Sequence, residues 1–253
     1  HARVRAYLWP RARGAEQCLS TAVPEPLRIA LVGGSGLVGS KVIELCVGRE
    51  DVRLAAIARS ELALPPGARM EVFVAEPGKW AEVIEALRPT AMICALGTTW
   101  KKAGGDETAF RAVDQELVLT VARAARAHGV ERFVSISSAG ADPHARNFYL
   151  KVKGETDREL AKIGIGRLDV LRPGLLRGKR GGDRRLGERL AILASPLVNP
   201  LLRGKWRAYR AIDAETVARA ALFLATRPAR GRFVHDHDAI LRAARSLPQP
   251  LVE

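Results

Sequence analysis

From residue 27 onward, short apolar runs alternate with longer segments whose apolar residues recur at helical spacing. The runs are almost continuously apolar, which indicates strands that are covered by helices on both faces of a sheet. The longer segments have the periodicity of amphipathic helices. The predicted strands are 27–32, 52–58, 70–75, 90–96, 130–138 and 167–173, and the predicted helices are 37–48, 79–87, 107–128, 147–164, 188–194 and 213–226.

Strands that alternate with helices over residues 27–173 predict an α/β fold with a Rossmann-type, doubly wound parallel sheet. Beyond residue 174 the pattern loosens into a loop rich in glycine and arginine, followed by two helices. Ligands bind at the carboxyl ends of the strands in such sheets. We therefore expect residues 174–253 to form mainly a small C-terminal cap over that edge, within one domain that spans residues 27–253.

Residues 1–26 differ from the rest of the chain. They carry several arginines and prolines, a single acidic residue before Glu25, and no apolar periodicity. An arginine-rich, acid-poor start resembles a transit peptide. The interpretation that we adopt is a flexible extension that takes no part in the fold.

Charge and composition narrow the classes of function. The net charge is +14, which suits a nucleic-acid partner, but the arginines are scattered and aromatic residues make up only 5 %. We therefore do not expect nucleic-acid binding as the main function. No apolar run reaches the roughly 18 residues of a membrane span. The three cysteines are far apart, so we expect a reducing, cytoplasmic location, with Cys46 and Cys94 as small core residues.

The stretch RIALVGGSGLVGSKVI places Gly33, Gly36 and Gly39 between the first predicted strand and the first predicted helix. Alone, this spacing fits either a tight turn or a cradle for a phosphate. The strand–turn–helix context favours the cradle, because the helix N-terminus offers free N–H groups and a partial positive charge. No Gly-Lys-Ser/Thr follows, which argues against a nucleotide triphosphatase.

The end of the second strand bears on which dinucleotide binds. An acidic residue there would indicate NAD, whereas this strand ends in Arg59 and Ser60. A guanidinium beside a hydroxyl suits a 2′-phosphate, so we predict NADP(H); the alternative is a solvated surface arginine. Gly97, after the fourth strand, would let a sugar or phosphate pass close to the backbone, or is a plain turn glycine.

A third group of residues carries candidate chemistry. Ser137 and Ser138 end the fifth predicted strand, and Tyr149 and Lys153 share one face of the next helix. An adjacent ammonium stabilises a phenolate, and a serine hydroxyl can hold a carbonyl or alcohol oxygen. These residues predict a proton relay for hydride transfer with a nicotinamide, with Ser138 preferred over Ser137 as the serine that faces Tyr149.

These motifs together resemble the short-chain dehydrogenase/reductase superfamily, in its extended and atypical branches. More narrowly, LGTTWKKAG (96–104), SSAGADPHARNFYLKVKGE (137–155) and LRPGLL (171–176) resemble the Tat-interacting-protein-like NAD(P)H-binding oxidoreductases. The resemblance implies that the pyrophosphate is held by Gly33, Ser35, Gly36, Leu37, Val38 and Gly39, the adenosine phosphate by Arg59 and Ser60, and a ribose by Leu96, Gly97 and Thr98. It also implies Tyr149 as proton acceptor, Lys153 on the nicotinamide ribose, Pro173 and Leu176 beside the nicotinamide, and Arg184 or Arg185 near the cofactor.

The sequence thus predicts an NADP(H)-dependent oxidoreductase that acts on a small carbonyl or alcohol substrate. One alternative is an NADPH-binding regulatory protein without substantial turnover, whose cap docks a protein partner. Another is a nucleotide-sugar epimerase or dehydratase, which would need a larger substrate domain than residues 174–253 offer. His235, His237 and Asp238 are spaced like metal ligands but have no third neutral ligand in view, so we predict no metal site.

Overall fold

The computed structural model describes residues 3–6, 25–178 and 209–248. Eight of the strands in these ranges form one sheet, and two short strands pair separately. The strands of the main sheet are β1 (Arg3–Ala6), β2 (Leu27–Val32), β3 (Val52–Ala58), β4 (Glu71–Val74), β5 (Ala91–Cys94), β6 (Arg132–Ile136), β7 (Arg167–Leu171) and β10 (Gly231–His235). The short pair consists of β8 (Leu176–Arg177) and β9 (Ile212–Asp213).

Seven strands run parallel in the order β4-β3-β2-β5-β6-β7-β10, and β1 pairs antiparallel with β4 at one edge. This is the Rossmann-type α/β fold that the sequence predicts. Strand β2 lies between β3 and β5, so the chain order reverses on either side of it. The crevice at the carboxyl end of that switch point is where ligands bind in open parallel sheets.

Helices cover both faces of the sheet. They are α1 (Leu37–Leu45), α2 (Trp80–Leu87), α3 (Glu107–Arg111), α4 (Val118–Ala127), α5 (Phe148–Lys162), α6 (Ala214–Thr226) and α7 (His237–Arg245). Apolar side chains of α1, α6 and α7 share one core with alternate residues of β2, such as Ile29 and Leu31. Those of α2, α4 and α5 share the opposite core with Ala30 and Val32. The alternation explains why this strand is continuously apolar in sequence.

The structure corrects two expectations about the ends of the chain. Residues 3–6, which we expected outside the fold, form β1 and satisfy the outer backbone edge of β4. Residues 212–245, which we assigned mainly to a cap, belong largely to the main domain. Helix α6 packs against α1, its buried Val217, Ala221 and Leu222 belong to the core that the two helices share, and β10 extends the sheet. Predicted helix 188–194 lies outside the described residues.

A buried ionic cluster joins β10 to β7. Asp169 is fully buried and accepts two hydrogen bonds from the Arg167 guanidinium, at 2.6 and 2.9 Å. The Nε2 atom of His235 lies 2.8 Å from the same carboxylate. Asp236 accepts the backbone N–H of Ala239 and caps α7. These partners give His235 and Asp236 structural roles. The described ranges contain no group of three or more His, Cys, Asp or Glu side chains that could hold a metal ion.

The two cysteines in the described residues both pack in or against the apolar cores. Cys94 ends β5 and is 1 % exposed, and Cys46 is half-buried at the end of α1. Burial raises the pKa of each thiol to about 12. Their interpretation as small core residues is therefore confirmed. Among the helices that the structure describes, none is long and apolar enough to cross a membrane.

Candidate dinucleotide and proton-relay site

The glycine loop after β2 is shaped by close backbone approaches. Gly33 has φ +85°, and a Cβ there would lie 2.5 Å from the carbonyl carbon of Ala95. A Cβ on Gly39 would lie 2.2 Å from the carbonyl oxygen of Gly33. The N–H of Gly36 donates to that same oxygen at 3.0 Å. The first and third glycines are therefore required by the protein itself, because each faces backbone that cannot move aside.

The middle of the loop leaves the start of α1 open. Gly36 is the N-cap residue and provides no side-chain hydrogen bond, and the first turn of α1 contains no acidic residue. Leu37 and Val38 bury their side chains, so they can offer a ligand only backbone N–H groups. Ser35 is exposed beside them. This arrangement fits the pyrophosphate of a dinucleotide, because an anion is favoured by unfilled N–H groups at a helix N-terminus.

Replacing Gly39 with alanine tests this loop. The new methyl group would collide with the Gly33 carbonyl, so we expect a loss of about 1–3 kcal/mol in the free energy of unfolding. The measurement is a denaturant titration. Gly78→Ala is the matched control, since a methyl group there meets no atom within 4 Å. Equal stability of the two variants would contradict the close approach.

Arg59 and Ser60 lie at the carboxyl end of the sheet, next to the glycine loop. Both are exposed and directly follow β3. The loop that they begin returns to the glycines, since a Cβ on Gly34 would lie 2.9 Å from Cδ1 of Leu62. Among the described residues, the Arg59 side chain has no ion pair or hydrogen bond. Its guanidinium is therefore available at the edge where the adenosine end of a dinucleotide would lie.

A buried ion pair lies beside the loop that follows β5. Nζ of Lys153 is 2.7 Å from Oδ1 of Asp114, whose Oδ2 accepts the backbone N–H of Thr98 at 2.7 Å. Both charged residues are almost fully buried. Burial alone would lower the pKa of Lys153, but Asp114, Tyr149 and Asp157 outweigh it and raise that pKa above its usual value. Lys153 is thus held protonated, next to the predicted ribose-binding segment Leu96–Gly97–Thr98.

Asp114 is the candidate site residue that the sequence analysis missed. It lies in a π-helical turn, Ala112–Leu117, within the long helical segment that the sequence predicts as regular. Such turns often occur at functional sites, because an extra residue per turn redirects a side chain. A usable signal was present: Asp114 lies between Phe110 and Val118 on the buried face of that segment. An acidic residue on an apolar face requires a buried partner.

Ser137 and Ser138 differ in their hydrogen-bond partners and in their burial. The hydroxyl of Ser137 donates to Asp157 at 2.9 Å, and Arg172 binds the same carboxylate at 2.9 Å. Burial raises the pKa of Asp157, against the lowering effects of Arg172 and Ser137. Ser137 is therefore committed to a buried network. Ser138 is half-buried, with its hydroxyl 3.3 Å from the Ala139 carbonyl, and it stays our prediction for the serine that faces substrate.

Tyr149 is the second residue of α5, after Phe148, and is 37 % exposed. Its ring makes an edge contact with buried Phe110, with centroids 5.7 Å apart. Pro173 accepts the N–H of Ala139 at 2.8 Å, which ties the predicted nicotinamide loop to the serine segment. Leu176 lies in β8, beside Ile212. The predicted residues Arg184 and Arg185 lie outside the described residues.

Comparisons with known proteins agree with this geometry. A family model described as NAD(P)H-binding matches residues 33–192. The mitochondrial protein fmp52 of Aspergillus fumigatus is 34 % identical over 203 residues, covering 77 % of this chain and 85 % of that protein.

Solved structures share the fold. The enzyme WbmG of Bordetella bronchiseptica, in complex with NAD, superposes with a TM-score of 0.62 at 18 % identity, covering 92 % of this chain and 83 % of that one. The UDP-glucose 4-epimerase of Thermus thermophilus, in complex with NAD, gives 0.61 at 19 % identity, covering 88 % and 85 %.

One expectation from the sequence is contradicted by these comparisons. We expected a cytoplasmic location from the number and spacing of the cysteines. The relatives from Aspergillus fumigatus, Aspergillus niger and Saccharomyces cerevisiae are all named as mitochondrial proteins. Cysteine spacing reports only on a reducing environment, so it could not distinguish between compartments that keep thiols reduced.

Proposed function

We propose that this chain, which belongs to the NAD(P)H-binding family, is an NADP(H)-dependent oxidoreductase of the extended short-chain dehydrogenase/reductase type. Its substrate is a small carbonyl compound or the corresponding alcohol. Tyr149 exchanges the proton, assisted by Lys153 and Ser138. The match spans 85 % of the length of the Aspergillus fumigatus relative, so the comparison concerns most of that protein.

The observation that carries this proposal is the position of the Lys153–Asp114 pair. It is buried beside Tyr149 and bonded to the Thr98 backbone, at the carboxyl edge of the sheet near the switch point. A purely structural ion pair has no need of a reactive phenol and an open helix N-terminus at the same edge. Their combination fits a hydride-transfer site, in which a fixed positive charge lies next to the proton donor.

In the proposed reaction, residues of this chain hold the substrate and move one proton. The open start of α1 and the Leu96–Gly97–Thr98 segment would hold the dinucleotide, which in its reduced form would supply the hydride for the carbonyl carbon. Ser138 and the Tyr149 hydroxyl hold the carbonyl oxygen, and the phenol donates its proton as that oxygen becomes an alcohol. The resulting phenolate is stabilised by the protonated Lys153 until it takes a proton from solvent.

The preference for NADP(H) rests on Arg59. We expect NADPH to bind at least about tenfold more tightly than NADH, because hydrogen bonds to charged groups contribute roughly 1.5–3 kcal/mol. Arg59→Asp should remove or reverse that preference. Isothermal titration of both cofactors measures it.

The control for Arg59→Asp is Arg123→Asp, which changes the net charge equally at an exposed position on α4. It separates a local contact from the general attraction of a chain of net charge +14 for a phosphorylated ligand. Equal affinity of the wild-type protein for NADPH and NADH would overturn the assignment of Arg59.

Turnover is tested by following NADPH consumption against a panel of aldehydes, ketones and quinones. We expect consumption with at least one class, and its loss in the Tyr149 variant discussed below. Tight binding of NADPH without consumption of any compound would contradict the enzymatic proposal. It would favour an NADPH-binding regulatory protein instead.

A further inference from the structure

Four aromatic rings form a continuous cluster at the site, which we call the aromatic ridge: Trp100, Phe110, Phe148 and Tyr149. Phe110 is fully buried and contacts the other three, with ring centroids 5.7 to 6.4 Å away. Trp100 also contacts Phe148 edge-on at 5.5 Å. The ridge therefore connects the proposed proton donor, through a buried ring, to an exposed indole.

Trp100 is unusually exposed for a tryptophan packed against other rings. It is 47 % exposed, whereas Trp80 in the same chain is 3 % exposed and donates its indole N–H to Ala75 at 2.9 Å. No hydrogen bond to the Trp100 indole is found in the described ranges. Tryptophan side chains that combine an apolar face with an exposed N–H are enriched at binding interfaces.

The segment that carries Trp100 is a compact series of turns. The N–H of Ala103 donates to the Thr99 carbonyl at 2.9 Å, and the N–H of Gly105 donates to the Trp100 carbonyl at 3.0 Å. Asp106 then caps α3 by accepting the N–H of Thr108. The indole is therefore presented from a backbone that is already hydrogen-bonded, so holding a ligand against it costs little ordering of the chain.

The guanidinium that packs against the ridge is already paired. The Arg111 guanidinium lies 5.3 Å from the Phe148 ring centroid and is bonded to Gln115 at 2.7 Å and Glu155 at 2.6 Å. It supports the back of the ridge and is not directed to a ligand phosphate. The exposed part of the ridge thus offers aromatic faces and the Tyr149 hydroxyl, which suits a flat apolar group better than a sugar or a phosphate.

From this arrangement we propose that the substrate carries a planar apolar group, as in an aryl carbonyl compound, which lies against Trp100 while its oxygen reaches Tyr149. This rests on the proposed oxidoreductase function. Trp100 and Tyr149 both contact the Phe110 ring, at 6.4 and 5.7 Å between centroids, so a bicyclic aryl aldehyde is the probe whose ring system would lie on Trp100 while its oxygen approaches Tyr149. A small polar aldehyde would reach Tyr149 without touching Trp100.

The test compares 2-naphthaldehyde with glyceraldehyde as substrates, using NADPH and the full chain. We expect Trp100→Ala to lower kcat/KM for naphthaldehyde by about tenfold, mainly through KM, because an aromatic contact contributes this order of affinity. The value for glyceraldehyde should not change. Trp100→Phe should restore most of the loss, and Val234→Ala, at an exposed apolar position on β10, is the matched control.

The outcomes are separable. If neither aldehyde supports NADPH consumption by the wild-type protein, the proposed function fails. Binding of naphthaldehyde to the NADPH complex of Tyr149→Phe, measured by calorimetry, then tests the ridge alone. Trp100-dependent binding there would support the ridge as the subsite. Equal losses for both aldehydes in Trp100→Ala would overturn the inference. So would loss of a dimer in sedimentation with kcat/KM unchanged, which would make the ridge a subunit interface.

Discussion

Asp114→Ala is expected to lower the free energy of unfolding by about 3–5 kcal/mol, because it leaves the ammonium of Lys153 buried without its partner. It also removes the acceptor for the Thr98 N–H. Chemical denaturation at neutral pH measures the change. Asp106→Ala is the matched control: that aspartate caps α3 at the surface, and its loss should cost only about 0.5–2 kcal/mol.

A double variant sharpens this result. Asp114→Leu combined with Lys153→Met replaces the pair with apolar side chains of similar size, and such replacements often recover stability. We expect the double variant to be more stable than Asp114→Ala yet inactive with every carbonyl substrate. Recovery of turnover along with stability would show that the pair serves the fold alone.

Tyr149→Phe is expected to lower kcat by about 10²–10⁴-fold, the usual contribution of a positioned proton donor. The ring is retained, so its edge contact with Phe110 and the stability of the protein should persist. The affinity for NADPH should stay within about threefold, since the proposed cofactor contacts come mainly from backbone groups and Arg59. Steady-state NADPH consumption and calorimetry measure the two quantities. A variant that kept a tenth or more of the wild-type kcat would exclude Tyr149 as the proton donor.

The core of the fold is predictable from sequence because its strands are buried on both faces. Strands β2 and β3 lie at their predicted bounds, 27–32 and 52–58, since each is an apolar run limited by polar or glycine residues. Strand β10 was missed for the opposite reason. It is an edge strand in which Arg232, Phe233 and Val234 are all exposed, so its sequence shows no buried pattern.

The positions of the candidate residues were predictable where their elements were. The glycines lie at the junction of β2 and α1, and Tyr149 and Lys153 lie on one helix, as the sequence predicts. Asp114 was missed although its position on an apolar helical face signals a buried partner, because helical periodicity does not reveal the extra residue of a π-helical turn. Likewise, only tertiary structure shows that Ser137 is bonded to Asp157, twenty positions along the chain.

Labelling of the Cys94 thiol can measure the stability of the centre of the sheet. Only a thiolate reacts rapidly with alkylating reagents or oxidants, and a thiol with a pKa of about 12 is almost entirely protonated at neutral pH. Cys94 is also sealed between β2 and β6. Modification of this residue must therefore wait for a transient opening of the sheet. The rate at which Cys94 is labelled would measure how often the sheet opens. The decrease in that rate on addition of a dinucleotide would measure how much the ligand stabilises the sheet at the switch point.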